Sequence, residues 1–412
     1  MDNTEREDGD AGRAFRDAMV DKLRDWGGAG TPSVEAAMRA VPRHVFVPEA
    51  SLEQAYANDS VVTHRDQNGR AISSASAPGV VASMLEQLDV QPGHGILEIG
   101  AGTGYNAALL AELAGPRGQV TTVDIGADIV AGARRHLAVA GYDRVQVVHG
   151  DGAAGHPENA PYDRIIVTAG AWDVPPAWRQ QLAPGGRLVV PLRIRGVTRS
   201  VALTLDGDVW RSESINECGF MPMRGPSAVG ETTLELGEGS GVWLRVDDGQ
   251  PIDADTFATA LADAPALAWS GVVVPWTATA VTHLDFWLNG AEPMCRVLVS
   301  DQAREAGLVE PIYPWGSMGC YIDDGTFAYL IRRPAPNDTG QETVELGACA
   351  YGPGRERLAD EVADRVRTWG AARACGDLDK LRIEVHPKDS VDDSTALIAA
   401  TKTHSKVIVT SG

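Results

Sequence analysis

The chain has 412 residues, 44% of them hydrophobic and 22% charged, with a formal net charge of −20. That length exceeds one ordinary core, so two domains or more are expected. An acidic surface repels phosphate backbones and anionic lipid, which argues against nucleic acid or a membrane as partner, and no apolar run approaches the roughly 20 residues of a span.

The opening MDNTEREDGDAGR is acidic and polar, so residues 1–13 read as a flexible tail and not as a signal peptide. From Ala14 to Trp26 apolar positions recur at helical spacing (Phe15, Met19, Leu23, Trp26), and Gly27-Gly28 end the helix. Thr31-Pro32-Ser33 opens a second short helix, which Val41-Pro42 breaks. Between Asp89 and Leu205, strand-like runs at Gly95–Ile99, Gln119–Val123, Val145–His149, Arg164–Thr168 and Gly186–Val190 alternate with helix-like runs. The best of those helices are Asn106–Leu113 and Ile129–Ala140. This alternation predicts an α/β fold, a doubly wound and mainly parallel Rossmann-like sheet.

After about Gly225 the hydrophobic runs shorten and are separated by turns such as "VDDGQPID" and "IDDGTF". Arg355 to Trp369 reads as an amphipathic helix, and "LRIEVH" and "KVIVTSG" read as strands. The expected division is a tail (1–13), a catalytic domain (14–225) and an α+β C-terminal domain (226–412). Cys218, Cys295, Cys320, Cys349 and Cys375 never form a CxxC pair, which gives no support for a metal and fits a reducing cytoplasm.

"ILEIGAGTGYNAALLAEL" (Ile96–Leu113) carries most of the chemistry. A buried strand ends at Glu98-Ile99, and Gly100, Gly102 and Gly104 let the backbone turn closely beneath a ligand before a helix starts near Tyr105. Dinucleotide binders use GxGxxG at a pyrophosphate. Here the spacing is GxGxG and Glu98 precedes it, a carboxylate that repels pyrophosphate and suits a cation. Asp124 ends the next strand, placed to accept from ribose hydroxyls, and Asp151 ends the third within "HGDG". An acid at three successive strand ends suits S-adenosylmethionine, whose sulfonium and amine are positive.

"AMRAVPRHVFVP" (Ala37–Pro48), Ala55-Tyr56, "LEIGAGTGYNAALLAEL", "HGDG", "APYDRIIVTAGAWDVPPAW" and "QLAPGGRLVVPL" together resemble protein-L-isoaspartate O-methyltransferases over roughly Ala14 to Pro226. The resemblance implies a methyltransferase that holds an extended peptide over S-adenosylmethionine. It implies that Glu98, Gly100, Gly102, Thr103, Gly104 and Tyr105 line the methionine part. By the same resemblance Asp124 and Ile125 hold the ribose, Asp151-Gly152 the adenine, and Thr168-Ala169 close the pocket. The family's substrate loop, Gly-Gln-Thr-Ile-Ser-Gln-Pro, corresponds here to the altered and lengthened stretch Gly69 to Pro78. The implied substrate contacts are Ser73, Ser74, Ser76, Ile72, Arg70 and Val62. The family serine is Ser73 if Ile72 anchors the comparison and Ser76 if Pro78 does. Arg70 either complements the peptide's charge or stays solvated.

The altered loop and the roughly 185 C-terminal residues resemble the subgroup associated with ribosomally made, cyclised peptides (lanthipeptides and graspetides). That implies methylation of one aspartate in a constrained peptide, leading through a succinimide to aspartimide or isoaspartate. General isoaspartate repair is the alternative. A noncatalytic peptide-binding scaffold, a small-molecule methyltransferase and a nicotinamide oxidoreductase fit the motifs less well. His44, His64 and His149 read as structural or solvated. Trp243, Trp269, Trp276, Trp287 and Trp315 read mainly as core, with a peptide-binding face as the other reading.

Overall fold

The computed structural model describes residues 3–67, 69, 71–226, 228, 231–247, 252–276, 281, 284–291, 294–310, 312, 317–336, 342–374, 381–390 and 396–411. Arg70, Trp315, Cys375 and most of the "VDDGQPID" turn lie outside the described residues.

Three helices open the chain: α1 (Asn3–Asp25), α2 (Pro32–Ala40) and α3 (Leu52–Tyr56). The expected tail is therefore corrected, because α1 reaches back to Asn3. Burial of Met19, Val20 and Leu23 nucleates the helix, and extending a nucleated helix costs little. α2 starts where the sequence predicts, with the Thr31 hydroxyl accepting from the Val34 N–H. A hairpin follows, β1 (Val61–Arg65) and β2 (Ala71–Ala75), paired antiparallel with Val62 opposite Ser74. The stretch read as a loop is thus a strand, and Pro78 opens the next helix, α4 (Pro78–Leu88).

The alternating region contains β3 (Gly95–Ile99), α5 (Tyr105–Ala114), β4 (Gln119–Asp124), α6 (Ala127–Val139), β5 (Gln146–His149), β6 (Tyr162–Val167) and α7 (Pro176–Gln181). Then come three long strands, β7 (Leu182–Ile194), β8 (Val197–Asp206) and β9 (Val209–Glu217). β5, β4, β3, β6 and β7 lie parallel in that spatial order, while β8 and β9 continue antiparallel. Leu97 and Ile99 of β3 pack into one face of the sheet and Ile96 into the other. Both faces are covered, as the unbroken apolar run demands.

The second half holds β10 (Glu231–Glu235), β11 (Val242–Asp247), α8 (Ala254–Phe257), β12 (Ala266–Pro275), α9 (Leu284–Ala291), β13 (Cys295–Val299), α10 (Asp301–Glu305), β14 (Ser317–Asp323), β15 (Thr326–Pro334) and β16 (Thr343–Tyr351). Its seven strands form one antiparallel sheet in the order β10-β11-β13-β14-β15-β16-β12. α11 (Arg355–Ala374) covers that sheet with Leu358, Val362, Val366 and Trp369. The "IDDGTF" turn joins β14 to β15 through Asp324 and Gly325, both at positive φ, as a tight hairpin requires.

The last strands, β17 (Leu381–Pro387), β18 (Ile398–Thr401) and β19 (Ser405–Ser411), leave this sheet and extend the first one to ten strands. β17 pairs with β9 at Trp210 and Arg211. The expected block 226–412 is therefore not one unit, because its end completes the sheet begun in the first half. The physical reason is an open edge: β9 needs a partner, and Ile383, Val385, Val407 and Val409 bury with Trp210 and Phe286.

Candidate active site

At the carboxyl ends of β3, β4 and β6 lies a cavity of about 1660 Å³, lined by residues from both halves of the chain. Such a position is where open α/β sheets bind ligands. Its volume exceeds the usual range of roughly 300–1,000 Å³ for a single small ligand. The floor is the Gly-rich turn. Gly100 sits at φ +103°, and a Cβ there would meet Thr168 Oγ1 at 2.6 Å. The Thr168 hydroxyl donates to the Gly100 carbonyl at 2.7 Å, which locks the turn to the end of β6.

Glu98 is fully buried beneath this turn. Its Oε1 accepts from Asn106 Nδ2 at 2.8 Å, while Oε2 has no hydrogen-bond partner among the described residues. Burial pushes the Glu98 carboxyl up to about 7. A buried oxygen without a donor, facing a cavity, is an unmet demand for a cation. Asp124 is anchored by the Gly102 N–H at 3.1 Å and the Gly126 N–H at 2.9 Å. Thr103, Ile125, Gly152, Thr168 and Ala169 also line the cavity, and Gly152 leaves no room for a Cβ, which would meet Ile99 at 2.4 Å. These groups fit the amine, ribose and adenine of S-adenosylmethionine.

Two expected residues are placed differently. Asp151 does not line the cavity; its Oδ1 accepts from the Ala153 N–H at 3.0 Å and caps the following turn, leaving Gly152 on the wall. Tyr105 reaches the wall, but its ring packs edge-on to Phe46 and beneath Arg43, and its hydroxyl is buried. It positions the helix start.

On the substrate side, Ile72, Ser73, Ser74 and Ser76 all line the cavity. Ser73 is 8% exposed and its hydroxyl accepts from Thr63 at 3.4 Å. Ser76 stands just before the N-cap of α4. The buried Arg43 guanidinium donates to the carbonyls of Ala55, Ala75 and Ser76, the last at 2.8 Å. "VPRH" therefore supplies the clamp behind the serine strand. Val62 is corrected: it lies on the outer strand of the hairpin, 39% exposed and off the cavity wall.

The facing wall was missed. Arg199, Glu217, Phe220 to Arg224, Trp243, Arg245, Asp285 and Arg296 complete the cavity. Arg224 Nη2 comes to 3.8 Å of Asp124. The period-two pattern of "VWLRVD" in β11 does announce a strand with Trp243 and Arg245 on one face. Nothing in it says that this face meets a cavity. Of the other tryptophans read as core, Trp269 and Trp276 are half-buried and stack under Arg333 and Arg332. His44 bonds Tyr56, and His149 bonds the Ile125 carbonyl at 3.1 Å. Among the described residues there is no cluster of metal ligands, and no helix is long and apolar enough to cross a membrane.

Residues 14–226 match the family model described as "Protein-L-isoaspartate(D-aspartate) O-methyltransferase (PCMT)". The protein-L-isoaspartate O-methyltransferase of Methanopyrus kandleri is 43% identical over 222 residues, 53% of this chain and 95% of that protein. That of Hyperthermus butylicus is 40% identical over 223 residues, 52% and 90% of the two chains. A solved structure described as a protein-L-isoaspartate O-methyltransferase shares the fold over 90% of this chain and 96% of its own, with a TM-score of 0.50 and 20% identity. That likeness extends into the C-terminal half, which corrects the expectation that proteins so described lack these residues. The extra length is no mark of a separate subgroup. With more than half of its residues matched, the chain belongs to the protein-L-isoaspartate (D-aspartate) O-methyltransferase family.

Proposed function

We propose that the protein methylates a carboxylate of an aspartate-derived residue, isoaspartyl in the first instance, in an extended peptide lying along β2. The single observation that carries this reading is the cavity's composition: the buried Glu98 oxygen without a donor on one side and the Ser73–Ser76 strand on the other. S-adenosylmethionine supplies an electrophilic methyl group on a cationic sulfur. Glu98 would hold its amine, Asp124 its ribose, and Ile125 and Gly152 its adenine.

A carboxylate is already ionised at neutral pH, with a reference pKa near 4, so no general base is needed. The chain's task is to strip water from that anion and aim it in line with the methyl group. Ser76 and backbone N–H groups beside it hold one carboxylate oxygen while the other attacks. Ser76 suits this role better than Ser73, because Arg43 fixes its carbonyl and the Ser73 hydroxyl is engaged with Thr63. The product ester lets the next backbone nitrogen expel methanol and close a succinimide, which water opens to aspartate or isoaspartate.

A second reading, methylation of one aspartate in a dedicated cyclised ribosomal peptide, draws on one observation. The wall formed by Trp243, Arg245 and Arg296 lies outside the segment that the family model matches. The test is incubation with S-adenosylmethionine and either an isoaspartyl peptide or a cyclised precursor, followed by mass. Gain of a methyl group on simple isoaspartyl peptides supports the first reading and rules out the second. Gain on the precursor alone reverses that order, and gain on neither refutes both.

A further inference from the structure

The cavity has two electrostatically opposite ends. Around the Gly-rich turn it carries Glu98 and Asp124, whereas the wall built by β10, β11 and β13 carries arginine. On that wall Arg245 and Arg296 stand directly opposite each other across the β11–β13 pair, and both line the cavity. Like charges directly opposite in a sheet are destabilising. Thr233 is the next cross-strand neighbour on one side and Gly319 on the other, so the row offers no carboxylate between the strands.

The acids nearest this row are committed elsewhere. Asp285 holds Arg199, with Arg199 Nη2 at 2.6 Å from both carboxylate oxygens, and Glu217 stands 3.9 Å from the same guanidinium. Arg296 Nη1 donates to the Gly196 carbonyl at 3.3 Å, a neutral acceptor that adds no countercharge. Burial, followed by the nearby Arg245 and Arg193, lowers the Arg296 guanidinium to about 10. In a chain of net charge −20, positive charge concentrated on an interior wall marks a place that receives an anion.

We propose that Arg245 and Arg296 form a second anion subsite, which takes an acidic side chain of the peptide substrate near, but distinct from, the carboxylate being methylated. This rests on the peptide-methylation reading above. Asp or Glu near the methyl-accepting residue fits the paired guanidinium groups, with Trp243 and Leu298 as the apolar neighbours in the adjoining row. The curated relatives named above match only about half of this chain, and the family model ends at residue 226, so the subsite belongs to the C-terminal half.

The experiment uses the full chain with S-adenosylhomocysteine and dye-labelled, C-terminally amidated isoaspartyl peptides. In each peptide one flanking position is Glu or Gln, and binding is read by fluorescence anisotropy. At its best position Glu should bind roughly tenfold tighter than Gln, about 1.4 kcal/mol. Arg245→Gln and Arg296→Gln should each bring that ratio near one, and Arg245→Glu should shift preference to a Lys-flanked peptide. Thermal unfolding of each variant establishes that it is folded, and a free-carboxylate Gln peptide distinguishes a terminal carboxylate from a side chain. A wild-type ratio near one at every position, or a ratio unchanged in the folded variants, overturns the subsite. An advantage from the free C-terminal carboxylate alone overturns the assignment to a side chain. Methyl transfer is measured separately on the same peptides. Failure of transfer with discrimination intact refutes the methylation reading and leaves the anion subsite standing.

Discussion

Arg199 on β8 places its Nη2 2.6 Å from both carboxylate oxygens of Asp285 on α9, joining the large sheet to the second half of the chain. The same junction is held by Asn289, whose amide donates to the carbonyls of Ile194 and Arg195. Removing one partner of a buried ion pair leaves a charge without its countercharge, at a cost of roughly 3–5 kcal/mol. Asp285→Ala should destabilise the protein by about 3 kcal/mol, read as a lower urea midpoint. A midpoint within error of the parent would show that the pair does not hold the junction.

Glu98 makes cofactor binding pH-dependent. Its carboxyl is raised from the ordinary 4.5 to about 7, chiefly by burial. The folded protein without ligand therefore holds this proton more tightly than the unfolded chain. Its contribution to stability is present below about 4.5 and is lost as pH rises through 7. A cationic amine reverses the preference and expels the proton. Affinity for S-adenosylhomocysteine should rise with pH up to about 7 and then level off, with proton release visible by calorimetry in two buffers. Glu98→Gln should flatten that profile and weaken binding about tenfold, the equivalent of 1.4 kcal/mol.

Gly100→Ala should disable the cofactor floor. Its φ of +103° disfavours any side chain, and the added Cβ would meet Thr168 Oγ1 at 2.6 Å. Backbone strain of this kind costs about 1–3 kcal/mol. Thermal unfolding should shift down, and calorimetry should show cofactor affinity lost. Retained affinity would mean that the turn moves freely.

The two serine assignments separate cleanly by substitution. A hydrogen bond to a charged group contributes about 1.5–3 kcal/mol, so Ser76→Ala should lower kcat/KM by roughly 10–100-fold. Ser73→Ala should cost less, because that hydroxyl is spent on Thr63. Equal losses, or the reverse order, would move the role to Ser73.

Much of the cofactor side was legible from local sequence. The β3 run, the three glycines, Glu98 and Asp124 act within a short stretch, where periodicity and spacing carry the geometry. The substrate stretch was legible in composition and misread in form. Its small residues suggested a turn, yet pairing with β1 makes Ala71–Ala75 a strand. Arg43 lies far enough back in the chain that only folding brings its guanidinium to Ser76.

By itself the sequence determined the parallel sheet, the glycine turn and the acids at its edge, because each depends on residues a few positions apart. Tertiary structure alone decided that β17 to β19 complete the first sheet and that Arg245 and Arg296 face the same cavity as Glu98. Both outcomes depend on which strand edge is open and which face meets it. Those are properties of packing between segments far apart in the chain, and a period-two pattern reads the same whether its polar face meets solvent or substrate.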